Sequence, residues 1–158
     1  LGPKFAAALA RARVNAAILF PFGGAATERA WIQACQDVGL TVLIGGHMTQ
    51  AEFLESEGGY IADGSPAKIY ELAARMGVVD FVVPGNKPES FGMYRGMITS
   101  FLGHQEFTLY APGFITQKGD ISETGRVAGD NWHAIVGSAL YNQKGRENIR
   151  KVATELTS

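Results

Sequence analysis

An α/β protein built on a parallel sheet is what this sequence predicts, and three observations lead there. Five short apolar runs recur: AAILF (16–20), TVLIGG (41–46), DFVVP (80–84), FTLYA (107–111) and HAIVG (133–137). Each is continuous rather than alternating, as in strands covered on both faces. Stretches of helical period lie between them, with room for one helix in each gap. The 158 residues, 46% of them hydrophobic, suffice for one domain with a sizeable core. No linker, low-complexity tract or composition shift divides the chain, so residues 1–158 are expected to form a single α/β domain.

Taken in order, residues 3–13 read as a helix before the first strand. In 25–38, Ala30, Trp31, Ala34, Cys35 and Val38 form one stripe, and Gly39 ends it. Ser65-Pro66 has the form of an N-cap followed by proline at the first helical position. Leu72, Ala73 and Met76 supply the apolar stripe of that helix. Pro88 opens another, to about Leu102, through Gly92 and Gly96. Ile149, Val152, Ala153 and Leu156 mark the last.

Charge is nearly balanced, 14 basic residues against 15 acidic, net −1. That leaves no electrostatic footprint for nucleic acid, though a local pocket could still hold a small anion. The single cysteine, Cys35, excludes an internal disulfide framework and a thiolate metal site, and fits a cytoplasmic protein. No run approaches the ~18 apolar residues of a membrane span. His104 and His133 are isolated, and no spacing suggests a metal site.

In βα proteins the carboxyl ends of the strands carry the ligand site. Here those ends read PFGGA, GGHMT, PGNKP, APGFITQKGD and GSALY. Turn chemistry alone explains part of that enrichment. The fourth loop is too long for a minimal turn and offers Gly113, Gln117, Lys118 and further glycine N–H groups. Gly137-Ser138 passes from the last strand straight into a helical segment, where N–H groups can face an anion. The plainer alternative makes Lys118 a solvated lysine and Gln117 a packing amide. His47 follows a strand and either touches a ligand or is simply hydrogen-bonded. Glu28 and Glu52 sit in first turns, where the helix dipole favours them. No G-x-G-x-x-G, P-loop or nucleophile elbow is present.

APGFITQKGD followed by HAIVGSALYNQKGR resembles the carboxyl-terminal part of orotidine 5′-phosphate decarboxylases. ELAARMGVVDFVVPGNKPES resembles that family's helix five, strand six and next helix. VNAAILFPFGGAATERAWIQACQDVGLTVLIGGHM resembles strands four and five with the helix between. The resemblance implies an incomplete (β/α)8 TIM barrel, strands four to eight, in a homodimer. It implies cofactor-independent decarboxylation of OMP to UMP in pyrimidine biosynthesis. By the resemblance, Pro112 and Gly113 lie beside the pyrimidine, Gln117 bridges base and phosphate, and Gly137 contacts phosphate through its backbone. His47 falls where many members have serine or threonine near the pyrimidine. Ser138 falls where the family has its phosphate-gripping arginine, a bidentate charge that serine cannot supply. Lys118 is the one nearby cation that could compensate.

The family's Asp-x-Lys-x-x-Asp array does not occur here, so no catalytic residue is assigned within the chain. About 60–80 further residues upstream, by barrel arithmetic, would favour the enzyme, whereas an initiator methionine just before Leu1 would favour a stand-alone module. The first and last strands should then be open edges that call for a partner chain or an amino-terminal half-barrel. Two rivals stand beside this reading. One is a hexulose-phosphate synthase type of barrel, which usually shows Gly-Gly where this chain has Pro112-Gly113. The other is a non-catalytic nucleotide-binding α/β module.

Overall fold

The computed structural model describes residues 1–114 and 120–157. Helix α1 (Gly2–Arg11) precedes strand β1 (Ala16–Leu19). Then follow α2 (Ala25–Gln36), β2 (Thr41–Gly45), a 3-10 turn (Glu55–Glu57), α3 (Ser65–Arg75), β3 (Asp80–Val82) and α4 (Pro88–Leu102). The chain ends with β4 (Thr108–Pro112), α5 (Ile121–Ala128), β5 (Trp132–Ile135), α6 (Ser138–Tyr141) and α7 (Arg146–Thr157). The five strands form one sheet in sequential order, every pair parallel. This is the architecture of a partial TIM barrel, with β1 and β5 as its two edges.

The strands separate two faces. Ala17, Leu19, Val42, Ile44, Phe81, Val83, Leu109 and Ala111 face the helices and join Ile32, Cys35, Ile69, Ala73, Phe91, Tyr94 and Ile98 in one core. A fully buried phenylalanine such as Phe81 contributes about 1.5–3 kcal/mol by leaving water. The other face is the concave inside of the barrel wall. Burial alternates along β1, and Ile18 on the inner face is 50% exposed. The apolar runs are thus covered throughout only on the helix side. Farther round that face, Asp80 accepts a hydrogen bond from the Tyr110 hydroxyl, and the His133 ring lies 5.2 Å from the Tyr110 ring. Burial pushes the Asp80 carboxyl upward in pKa.

Several local expectations are corrected. Gly64, not Ser65, is the N-cap of α3. The Ser65 N–H bonds back to the Ala62 carbonyl at 2.8 Å, so Ser65 already lies in the first turn. On α2 the buried residues are Glu28, Ile32, Ala34 and Cys35, while Val38 is 40% exposed. The stripe is rotated because α2 packs on α1 as well as on the sheet, with Trp31 and Phe5 rings 4.8 Å apart. β3 is short because Pro84 has no N–H to donate. Its pairing nevertheless resumes beyond the proline, with Gly85 donating to the Pro112 carbonyl at 2.8 Å. Asp120 caps α5 by accepting from the Glu123 N–H at 3.0 Å.

Candidate functional site at the strand carboxyl ends

Parallel strands bring their carboxyl ends to one rim, and the inner face at that rim is hollow. A cavity of about 270 Å³ is lined by Ile18, Phe20, His47, Met48, Thr49, Val82, Pro112 and Ile135. All five strands or their immediate extensions reach it. Its wall is apolar, with His47 and Thr49 as the polar points.

His47 is held from every side. Its side chain is buried, and its N–H donates to the Tyr70 hydroxyl at 3.3 Å. Tyr70 in turn donates to the Val82 carbonyl at 2.8 Å, which ties α3 to the ends of β2 and β3. The Lys87 ammonium donates to His47 Nε2 at 2.8 Å. Nε2 is therefore the acceptor, and Nδ1 carries the proton it donates to the Tyr94 hydroxyl at 3.0 Å. The Phe53 ring stacks on the imidazole at 5.4 Å. Burial and then the Lys87 charge lower the His47 pKa, against the pull of Glu57, so the ring is kept neutral.

Glu57 completes the cluster. Its Oε1 accepts from Lys87 at 2.6 Å, and its Oε2 from the N–H groups of Phe53 and Leu54 at 3.1 and 3.2 Å. Burial raises its pKa, but the Lys87 hydrogen bond, the two amides and the Lys87 charge outweigh that and hold it at about 2. Lys87 also donates to the Gln50 carbonyl at 3.2 Å. Its three N–H groups thus have three acceptors: a carboxylate, an imidazole nitrogen and a carbonyl. This is a rigid proton-holding network behind the cavity wall, with the lysine charge balanced inside it.

Three loops interlock at the beginning of the fourth loop. Asn86 Nδ2 donates to the Thr49 carbonyl at 2.9 Å. Gly113 has φ +107°, and a Cβ there would lie 2.8 Å from Asn86 Oδ1 and 2.9 Å from Thr49 Cγ2. Only glycine fits that combination of backbone and space. Asn86 Oδ1 is buried beside Gly113 with no hydrogen-bond partner among the described residues. A buried acceptor left without a donor beside the start of this loop is suited to a ligand N–H.

Among the sequence-derived candidates, His47 and Pro112 line the same cavity and Gly113 lies directly behind its rim. Gly137 and Ser138 follow Ile135, which is paired with Pro112, so they continue from a cavity-lining strand end. Gly137 precedes α6, which is only four residues long. Gln117 and Lys118 lie outside the described residues. Glu57, Lys87, Tyr94 and Asn86 were not singled out by sequence reading. The one available signal was the polar PGNKP loop, which carries both Asn86 and Lys87. Among the described residues no group of three or more histidine, cysteine, aspartate or glutamate side chains could hold a metal ion. No helix among them is long and apolar enough to cross a membrane.

Comparison with solved structures places this architecture. The chain is similar to orotidine 5′-monophosphate decarboxylase from Methanocaldococcus jannaschii complexed with inhibitor BMP, at TM-score 0.72 and 19% identity, covering 99% of this chain and 69% of that one. The Sulfolobus solfataricus enzyme matches at TM-score 0.69 and 17% identity over 99% of this chain and 69% of that one. The Metallosphaera sedula enzyme matches at 0.69 and 18%, over 100% and 68%. No protein-family model matches the sequence, and no curated protein does. At these identities the likeness is one of fold.

Proposed function

We propose that residues 1–158 are one α/β domain, the carboxyl-terminal part of a TIM barrel, whose strand-end cavity binds a pyrimidine nucleotide monophosphate (OMP or UMP). The observation that carries this reading is the coincidence of two independent signals. The 110–120 motif resembles the decarboxylase loop, and its described beginning, Pro112-Gly113, lies at the rim of an inward cavity in a sheet that matches decarboxylases along 99% of the chain. In this reading the pyrimidine rests against Pro112 and the apolar wall, with Asn86 Oδ1 accepting from a ring N–H. Phosphate is held by Gln117, Lys118 and the Gly137-Ser138 backbone.

The reaction is cofactor-independent decarboxylation of OMP to UMP, a carbon–carbon lyase step in pyrimidine biosynthesis in the cytoplasm. The Asp-x-Lys-x-x-Asp array that the resembled family uses for it does not occur in residues 1–158, so turnover in this reading needs that array from outside these residues, in a homodimer. Within this chain the contribution is binding: neutral His47 and apolar Val82 and Ile135 exclude water, and the loop amides meet the anion. One feature favours a second reading, a nucleotide-binding module without turnover. Ser138 stands where the family has arginine, so the phosphate loses a permanent bidentate charge.

Calorimetric titration of UMP into the wild type, Lys118→Ala and Ser138→Arg tests the site. A charged hydrogen bond to phosphate is worth roughly 1.5–3 kcal/mol. Lys118→Ala should therefore weaken binding about ten- to a hundredfold, and Ser138→Arg should tighten it. With the Asp-x-Lys-x-x-Asp array present, binding without any loss of OMP absorbance on incubation supports the module. No heat for the wild type, or equal affinity for all three proteins, rejects the nucleotide site.

A further inference from the structure

A second cavity lies on the other side of the sheet, between the amino-terminal ends of α2 and α3. Its volume is about 220 Å³, and Pro21, Phe22, Ile61, Ile69 and Leu72 form apolar walls. One acidic group lines it. Glu28 is 98% buried, and its Oε1 has no hydrogen-bond partner among the described residues. A carboxyl oxygen shut away from water without a donor costs free energy, which a fitted ligand would recover. Lys68 and Ser65 line the same cavity from α3, with Lys68 exposed.

We infer that this cavity is a binding site for a small ammonium compound with an apolar body, its N–H donors meeting Glu28 and its body filling the space between Phe22, Ile61 and Leu72. One carboxylate cannot chelate a metal ion, and the apolar walls do not suit a sugar or a polyanion. A branched aliphatic chain of four or five carbons matches the size. The ammonium can come from a simple amine or from an apolar amino acid, whose carboxylate Lys68 would also meet. The site is separate from the strand-end cavity and does not depend on the function proposed for it.

The electrostatics supply a readout. Burial holds the Glu28 carboxyl up at about 7, with neighbouring Arg29 pulling it down; Lys68 is the charged residue lining the cavity from α3. An ammonium ligand binds the ionised form. Affinity should thus rise with pH between about 6 and 8, and binding at pH 7 should release about half a proton.

The experiment titrates isoamylamine and L-leucine into the protein by calorimetry in two buffers of different ionisation enthalpy, with 4-methylpentanoate as the probe lacking nitrogen. Carboxyl-labelled glutamate is followed in parallel by NMR. We expect both amines to bind, to lower the Glu28 pKa and to release protons, while 4-methylpentanoate does not bind. Glu28→Gln should weaken both amines about ten- to a hundredfold. Lys68→Ala should weaken only leucine, if the amino acid is the better ligand. Leu72→Trp, which fills the cavity, should abolish binding even if Glu28→Gln does not fold. Binding that Glu28→Gln leaves unchanged, a Glu28 titration unmoved by either amine, or no binding at all would overturn the inference.

Discussion

Replacing Lys87 by methionine should loosen the rim of the strand-end cavity in a way that can be calculated. The side chain keeps an unbranched stem to the ε position but loses the ammonium and its three hydrogen bonds, to Glu57, His47 and the Gln50 carbonyl. Glu57 is held at about 2 instead of 4.5, a depression worth about 3 kcal/mol of pH-dependent stability. Lys87 heads the interactions that produce it, and the two amides remain in the variant. The expected loss is about 2–3 kcal/mol, since the lost bonds are charged but the site is about a quarter exposed on the glutamate side. For a chain of this size that lowers Tm by about 4–12 °C. The sign of the pH effect follows from the depressed pKa. The contribution is complete above pH 4.5 and is lost as pH falls toward 2, so the variant should differ most near neutrality and least in strong acid. His47 should respond in the opposite sense. The Lys87 charge helps to keep it neutral, and Glu57 stays 3.4 Å away, so its pKa should rise in the variant. Thermal melts from pH 2 to 7 and an NMR titration of the three histidines measure both. A Tm within 1 °C of wild type together with an unmoved His47 titration would mean that the network does not exist in solution.

Tyr70→Phe should cost about 1–3 kcal/mol in urea unfolding, because the His47 N–H and Val82 carbonyl both lose a buried partner. An unchanged unfolding midpoint would refute the tie between α3 and the strand ends. Gly85→Ala should destabilise by about 1–3 kcal/mol, since its Cβ would meet the Phe114 ring and, at 2.9 Å, the Pro112 carbonyl. Near-UV circular dichroism of Trp132, whose ring lies 6.0 Å from that of Phe114, should change with it. A native spectrum and melting curve would show that Phe114 yields without cost.

The βα order and all five strands were legible because alternate residues pack against the helices while much of the inner face, including Ile18, Val82 and Ile135, is apolar as well. Strand ends were less so: pairing runs past Pro84 through Gly85, although a proline normally signals a stop. The turn of α2 was misread because Ile32 and Trp31 are equally apolar, and only the position of α1 decides which of them faces the sheet. The candidate site was half legible. His47 and Pro112 stand in conspicuous strand-end segments, whereas Glu57 meets Lys87 across 30 positions of sequence. That meeting depends on β2 lying beside β3 and on the 48–64 segment returning over the rim. No local pattern encodes either condition. Glu28 looked like an ordinary first-turn acid, because helix position says nothing about whether a neighbouring helix covers the carboxyl.

The close approach at Gly113 bears on how this scaffold could be redesigned. Barrel proteins invite loop grafting, with one strand-end segment exchanged while the rest is kept. Here the segments after β2, β3 and β4 share Thr49, Asn86 and Gly113, each occupying space or a hydrogen bond the others need. A graft at any one of them brings a mismatch to the other two, so the exchangeable unit is the trio. The outer turn around Tyr60, which is 99% exposed, carries no such obligation and is the natural place for an inserted tag or reporter.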